Sequence, residues 1–154
     1  MSKTRQFEVL CVEDNRGDRK LIQTLFPCQK TNCHLVFSED GEQALDYLFN
    51  RGPYGHAKSP DLILLDLNLP KISGSEVLAE VKAEPKLNHI PVIVFSSSVA
   101  HCDVARSYHL HANAYLKKPD NLEDFESDME GIKKFWLETA ELLPGNVSVA
   151  GSGC

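Results

Sequence analysis

Along most of this chain apolar and polar positions come in blocks, and the blocks alternate between two periods. Residues 7–12 form a short apolar run rich in β-formers that stops at Glu13 and Asp14, the pattern of a buried strand. From 16 to 26 the apolar residues Leu21, Ile22, Leu25 and Phe26 fall at helical spacing, and Pro27 ends the run. Residues 34–37 predict a second strand, and 41–49 a helix with Ala44, Leu45, Leu48 and Phe49 on one face. Gly52, Pro53, Gly55 and Pro60 mark 50–60 as loop. Consecutive aliphatics make 61–66 a central strand. Then follow a helix over 74–83, a strand over 91–95, a helix over 99–109 and a last strand over 112–116. Residues 122–143 predict one long closing helix, with Glu123, Asp124 and Glu126 in its first turns, where the helix dipole favours negative charge.

Five alternations of strand and helix, with strands that lack strict polar alternation, predict an α/β doubly wound parallel sheet with helices on both faces. In such sheets, sites form beyond the C-terminal ends of the strands. The residues at those ends are therefore the candidates. Glu13 and Asp14 follow the first strand, Asp66 ends the third, Ser96 ends the fourth, and Lys117, Lys118 and Pro119 follow the fifth. Three acids brought together repel unless a cation joins them, and Mg²⁺, a hard ion that takes carboxylate and phosphate oxygens, suits that set. A carboxylate can attack a phosphoryl group and become an aspartyl phosphate. The transferred group then needs positive charge and a hydroxyl donor around its oxygens, which Lys118 and Ser96 would supply.

These residues carry a family resemblance. Val-Glu-Asp-Asn at 12–15, Leu-Leu-Asp-Leu-Asn-Leu-Pro at 64–70 with Gly74 following, Val-Phe-Ser at 94–96 and Tyr-Leu-Lys-Lys-Pro at 115–119 stand in order. Ser96 lies 30 residues and Lys118 lies 52 residues after Asp66. Over residues 7–138 the chain resembles a response-regulator receiver domain. The resemblance implies a flavodoxin-like fold with strand order 2-1-3-4-5. It implies Asp66 as phosphoacceptor, Asp14 with Glu13 as the metal-binding acids, and the backbone carbonyl of Asn68 as a further metal ligand. It makes Ser96 the switch hydroxyl, Tyr115 the aromatic that moves with it and Lys118 the phosphate-contacting lysine. The bond before Pro119 is often cis in this family. Glu13 departs from the usual Asp but keeps the acid. The loop around 53–60, Leu-Asp-Leu-Asn-Leu-Pro-Lys at 65–71 and Phe-Trp-Leu-Glu-Thr at 135–139 further resemble the stand-alone response regulators paired with bacterial and cyanobacterial phytochromes. Those phytochromes are light-sensing histidine kinases, which makes such a kinase the implied partner.

Composition changes this picture only at its edges. The 154 residues suit one domain over 1–143, followed by a Gly/Ser-rich, flexible tail over 144–154. A net charge of −6 argues against non-specific nucleic-acid binding. No stretch is apolar enough for a membrane span, and the polar start carries no signal-peptide pattern, so the expected location is cytoplasmic. The five cysteines form no Cys-x-x-Cys pair and are expected to stay reduced. The six histidines suit surface or packing roles, the phosphodonor histidine belonging to the partner. Apolar residues past the usual end of a receiver, among them Phe135, Trp136 and Leu142, predict a homodimer through the closing helix and the region of the fourth and fifth strands. With no room for a DNA-binding domain after 143, output would be a protein contact.

The leading function is thus a phosphoacceptor signalling domain, no enzyme beyond Mg²⁺-dependent self-phosphorylation and self-dephosphorylation. An aspartate-nucleophile phosphatase would carry a second acid at position 68, where this chain has Asn68. A receiver-like module that is not phosphorylated would tend to lose the acids or the lysine, all kept here.

Overall fold

A computed structural model of the chain describes residues 5–26, 28 and 32–143. Pro27 and the tail over 144–154, expected to stop a helix and to be flexible, lie outside the described residues. The strands are β1 (Phe7–Val12), β2 (Cys33–Ser38), β3 (Leu62–Leu65), β4 (Val92–Ser96) and β5 (Ala114–Lys117). The helices are α1 (Arg16–Leu25), α2 (Gly41–Leu48), α3 (Gly74–Ala83), α4 (His101–His109) and α5 (Leu122–Ile132). All neighbouring strands are parallel, in the order β2-β1-β3-β4-β5. The order reverses between β1 and β3, which opens a crevice above their C-terminal ends.

Side chains of a strand point alternately to its two faces, so each central strand feeds two cores. Leu10, Val12, Ile63, Leu65, Val92 and Val94 pack with Ala44, Leu48, Val77 and Val81 of α2 and α3. Val9, Cys11, Leu62, Leu64, Ile93 and Phe95 pack with Ile22, Phe125 and Met129 of α1 and α5. That is why β3 and β4 read as unbroken apolar runs. Phe95 meets Phe125 edge-on with ring centres 5.4 Å apart, and Phe95→Ala would cost about 3–5 kcal/mol.

The helices start where side chains satisfy their free N–H groups. Asn15, Asp40, Ser73 and Asn121 accept from the third residue beyond in α1, α2, α3 and α5. Ser73 and Glu76 complete a reciprocal capping box. The helix expected from 99 begins at His101, because Ser98 turns the chain first: its hydroxyl takes the Ala100 N–H and donates to Asp103.

The closing helix differs most from expectation. It is α-helical only through Ile132 and continues as a π-helix over Lys133–Thr139, where it ends, four residues before 143. The wider turn has a packing cause. Leu137 lies five residues after Ile132, and both are buried in the α1–α5 core, a spacing that a π turn matches and an α turn does not. The chain then leaves as extended backbone at Ala140.

Two further expectations fail. Cys28 and Cys33 are joined by a disulfide; a spacing of five residues hid them, since their approach is made by the return of α1 toward β2. No cis peptide bond occurs among the described residues, so the Lys118–Pro119 bond is trans. The trans preference at proline is small but real, and Lys118 makes its contacts with the bond in that form.

Candidate functional site

Ladder bonds carry the candidate residues to one rim. Glu13 N–H donates to the Ser38 carbonyl at 2.9 Å, Asp66 N–H to the Val12 carbonyl at 3.0 Å, and Lys118 N–H to the Ser96 carbonyl at 2.8 Å. Each residue is thus the first beyond its strand, fixed to the strand beside it. Gly74 locks the turn after β3: a Cβ there would lie 2.2 Å from the Asp66 carbonyl oxygen, so only glycine lets α3 approach.

At the centre sits the Lys118 ammonium. Its Nζ lies 2.8 Å from Glu13 Oε1, 2.8 Å from Asp18 Oδ2 and 2.9 Å from Asp66 Oδ2. A lysine has three N–H donors, and here each faces a carboxylate. Burial pulls the Lys118 pKa down, but the bonds to Asp18, Glu13 and Asp66 outweigh it and hold the ammonium above the ordinary lysine value. Glu13 is 2% exposed and Asp66 5%. Burial, joined by the nearby charge of Asp66, pushes the Glu13 carboxyl up to about 7 against the opposing pull of Lys118. The Arg19 guanidinium is also near but donates to the Glu13 carbonyl at 2.9 Å, so the four acids Glu13, Asp14, Asp18 and Asp66 still outnumber the cations beside them. Carboxylate oxygens of Glu13, Asp14 and Asp66 lie within 4.8 Å of one another, close enough to share one ion. That is the donor set a hard divalent cation takes.

Ser96 is fully buried at the end of β4, and its hydroxyl oxygen accepts the Ser98 N–H at 3.3 Å. Tyr115 is half-buried, and its hydroxyl donates to the Ser98 carbonyl at 2.9 Å. One loop therefore joins Ser96, Tyr115 and the start of α4.

Comparison with known proteins shows the family of this fold. The model of the response regulator receiver domain matches residues 9–130, most of the chain. The chain belongs to the response-regulator receiver family. It is 45% identical over 134 residues to response regulator Rcp1 of Synechocystis sp., covering 87% of this chain and 91% of Rcp1. The crystal structure of the phosphorylated cyanobacterial phytochrome response regulator RcpA superposes with a TM-score of 0.87 at 45% identity, covering 90% of this chain and 99% of that one. The Mn²⁺-bound form of Rcp1 does so with a TM-score of 0.85 at 44% identity, covering 89% and 99%.

For this receiver domain, the structure brings Glu13, Asp14, Asp66 and Lys118 together as the sequence expects. Asn68 is exposed beside them, its N–H donating to Asp66 Oδ1 at 3.2 Å. Asp18 was missed. In sequence it reads as a first-turn acid held by its cap, and its N–H does donate to Asn15 Oδ1 at 2.9 Å. Its carboxylate nevertheless reaches a lysine 100 residues away. A signal was present, since α1 starts three residues after Glu13 and so opens over the same rim.

The dimer candidates separate. Phe135 is 53% exposed, and Trp136 is half-buried with its ring edge-on to Phe135 at 5.0 Å. Both line a groove of about 420 Å³ with Ala114, Leu116 and Gly131. Leu142 is instead half-buried against the chain's own core, and its carbonyl accepts from Arg5.

Proposed function

We propose that Asp66 accepts a phosphoryl group from a phosphohistidine of a sensor kinase. The histidine N–P bond breaks as an Asp66 O–P bond forms. The observation that carries this is the Lys118 ammonium held 2.9 Å from Asp66 inside an acid cluster at the switch point. Glu13, Asp14, Asp66 and the Asn68 carbonyl would hold Mg²⁺, whose charge offsets the acids and the incoming phosphoryl oxygens. Lys118 turns one of its three N–H groups to the phosphate, releasing a carboxylate, and Ser96 donates its hydroxyl. Tyr115 then follows, since the loop that carries its hydrogen bond is the one Ser96 turns into. The added charge of about −1.5 to −2 shifts a pre-existing equilibrium rather than building a new fold. Pro119 shapes the turn that aims Lys118.

Similarity to Rcp1 and RcpA supports a phytochrome-type histidine kinase as the donor. The exposed Phe135 and the groove beside it support a homodimer through the closing helix and β5. Residues 1–143 act as one unit and 144–154 as its tail, in the cytoplasm. No helix of the described residues is long and apolar enough to cross a membrane. Output is a protein contact, with no external substrate turned over and no nucleic acid bound.

The test is a mass measurement with Mg²⁺ and a small phosphodonor. Wild type gains one phosphoryl group and Asp66→Asn gains none. Wild type without a gain ends the proposal. For the dimer, sedimentation gives a dimer that Phe135→Glu dissociates; a wild-type monomer at high concentration ends that part.

A further inference from the structure

The disulfide stands outside the acid site and has no part in the proposed function. Cys28 and Cys33 have Cα atoms 5.0 Å apart, within the span a relaxed bridge needs. Cys28 follows the exit of α1, its N–H donating to the Phe26 carbonyl at 2.8 Å. Cys33 opens β2 and pairs with Phe7 of β1. The bridge therefore fastens the end of α1 to the start of an edge strand.

We propose that Cys28–Cys33 is a thiol–disulfide exchange site that fastens and releases this corner. Three observations carry the inference. Both cysteines are only half-buried, so a thiolate from outside can reach a sulfur, as exchange requires. Cys11, by contrast, is fully buried, its thiol held protonated mainly by that burial, and is inert. Second, each end of the corner has its own support. Phe26 caps α1 through the Ile22 carbonyl and is 3% exposed in the core, while β2 is laddered to β1 through Ser38. Both states of the pair therefore fold. Third, β2 has a sheet neighbour on one side only, so its first residues depend on the bridge more than those of a central strand would.

The reaction balances with a dithiol as reductant. Its thiolate attacks one sulfur of the pair, the Cys28–Cys33 bond breaks and a mixed disulfide forms. The second thiol of the reductant displaces the cysteine, closing the reductant's own disulfide. Both cysteine sulfurs take up protons, so the pair gains two electrons and two protons. Reoxidation is the reverse, with the disulfide form of the same class.

The test equilibrates the full chain in mixtures of reduced and oxidised dithiothreitol, quenches in acid, then alkylates in denaturant. Of five cysteines, three take label in the oxidising mixtures and five in the reducing ones. Peptide masses place the two additional labels on Cys28 and Cys33. Amide exchange over residues 33–36 speeds up severalfold on reduction. The Cys28→Ser/Cys33→Ser double variant takes three labels in every mixture and still gains phosphate. Five labels on wild type throughout means no bridge forms. Three throughout means the bridge is permanent. A third result, loss of label from Cys102 or Cys154 instead, moves the chemistry elsewhere; each of these overturns the proposal. So does unchanged amide exchange, which would remove its conformational half.

Discussion

Two lysines at opposite edges of one sheet solve the same problem differently. Lys118, beyond the C-terminal end of β5, meets three carboxylates. Lys82, near the N-terminal ends of β4 and β5, meets three neutral oxygens: the carbonyls of Asn88 and Ile90 and the Asn113 side-chain oxygen, at 3.1, 2.9 and 3.1 Å. The first ammonium is held above the ordinary lysine value. Burial brings the second down to about 8. Neutral dipoles orient an ammonium and tie a loop, but they store no excess charge. The acid rim does store it, and a rim short of positive charge is one that a cation and then a phosphoryl group can enter. The chemical edge differs from the structural edge in charge balance, not in burial or bond count.

The largest effect expected is at the chemical edge. Lys118→Met removes the ammonium beside Asp66, and the initial rate of phosphate uptake falls about 100-fold, the loss typical of a missing charge-stabilising donor. Uptake at the wild-type rate would mean that the cation alone supplies the charge and that the lysine is a structural tie like Lys82.

Lys82→Met is the counterpart. It leaves two carbonyls and the Asn113 oxygen without their ammonium donor, although Asn113 still accepts from Val92 N–H at 2.9 Å. Urea unfolding should report a loss of about 1–2 kcal/mol, while phosphate uptake stays within about twofold of wild type, since no charge at the acid rim changes. A large fall in uptake would break the division between the edges.

The contrast also explains what could be read from sequence. β1 and α3 have the expected bounds, because apolar periodicity and caps are local signals. Glu13, Asp14, Asp66, Ser96 and Lys118 were legible because each sits at a strand end, and strand ends share a rim in any parallel α/β sheet. Lys82 was not legible: within 74–83 it looks like any solvent-facing lysine, and its partners come from two later loops. Asp18 was hidden by a second role, since an acid in a first helical turn already has a local explanation. The π turns arise from a register that Leu137 takes against the core, which no window of sequence contains. The disulfide likewise depends on how closely α1 returns to β2.

A third prediction probes the excess charge itself. Glu13 ionises in the folded protein only as pH passes about 7, above its ordinary 4.5. A cation needs the ionised form. Affinity for Mg²⁺ should therefore fall as pH drops through 7, by about tenfold from pH 8 to pH 6, and binding near pH 6.5 should release a proton measurable by calorimetry in buffers of different ionisation enthalpy. Glu13→Gln flattens the dependence. Affinity equal at both pH values would mean that Asp14 and Asp66 bind the ion without Glu13.

The smallest effect lies at the structural edge and has the opposite course. The folded-state pKa of Lys82, about 8, is below its ordinary 10.5. Between those values the unfolded chain holds a proton that the folded one has released, so stability gains as pH rises. The gain is about 1 kcal/mol from pH 8 to pH 10 once screening of the half-exposed side chain is discounted. Lys118 runs the other way: with its pKa raised, its contribution is complete below 10.5 and declines only above it. Urea unfolding at pH 8, 9 and 10 separates the two, because in that window Lys118 is silent. The buried Cys11 thiol, held above its ordinary value, takes stability away over the same window, so the Lys82 effect is read as a difference: the stability of wild type minus that of Lys82→Met should grow by about 1 kcal/mol from pH 8 to pH 10. If that difference stays constant with pH, Lys82 keeps its proton on folding, and the three neutral oxygens tolerate the Lys82 charge as well as the three carboxylates tolerate that of Lys118.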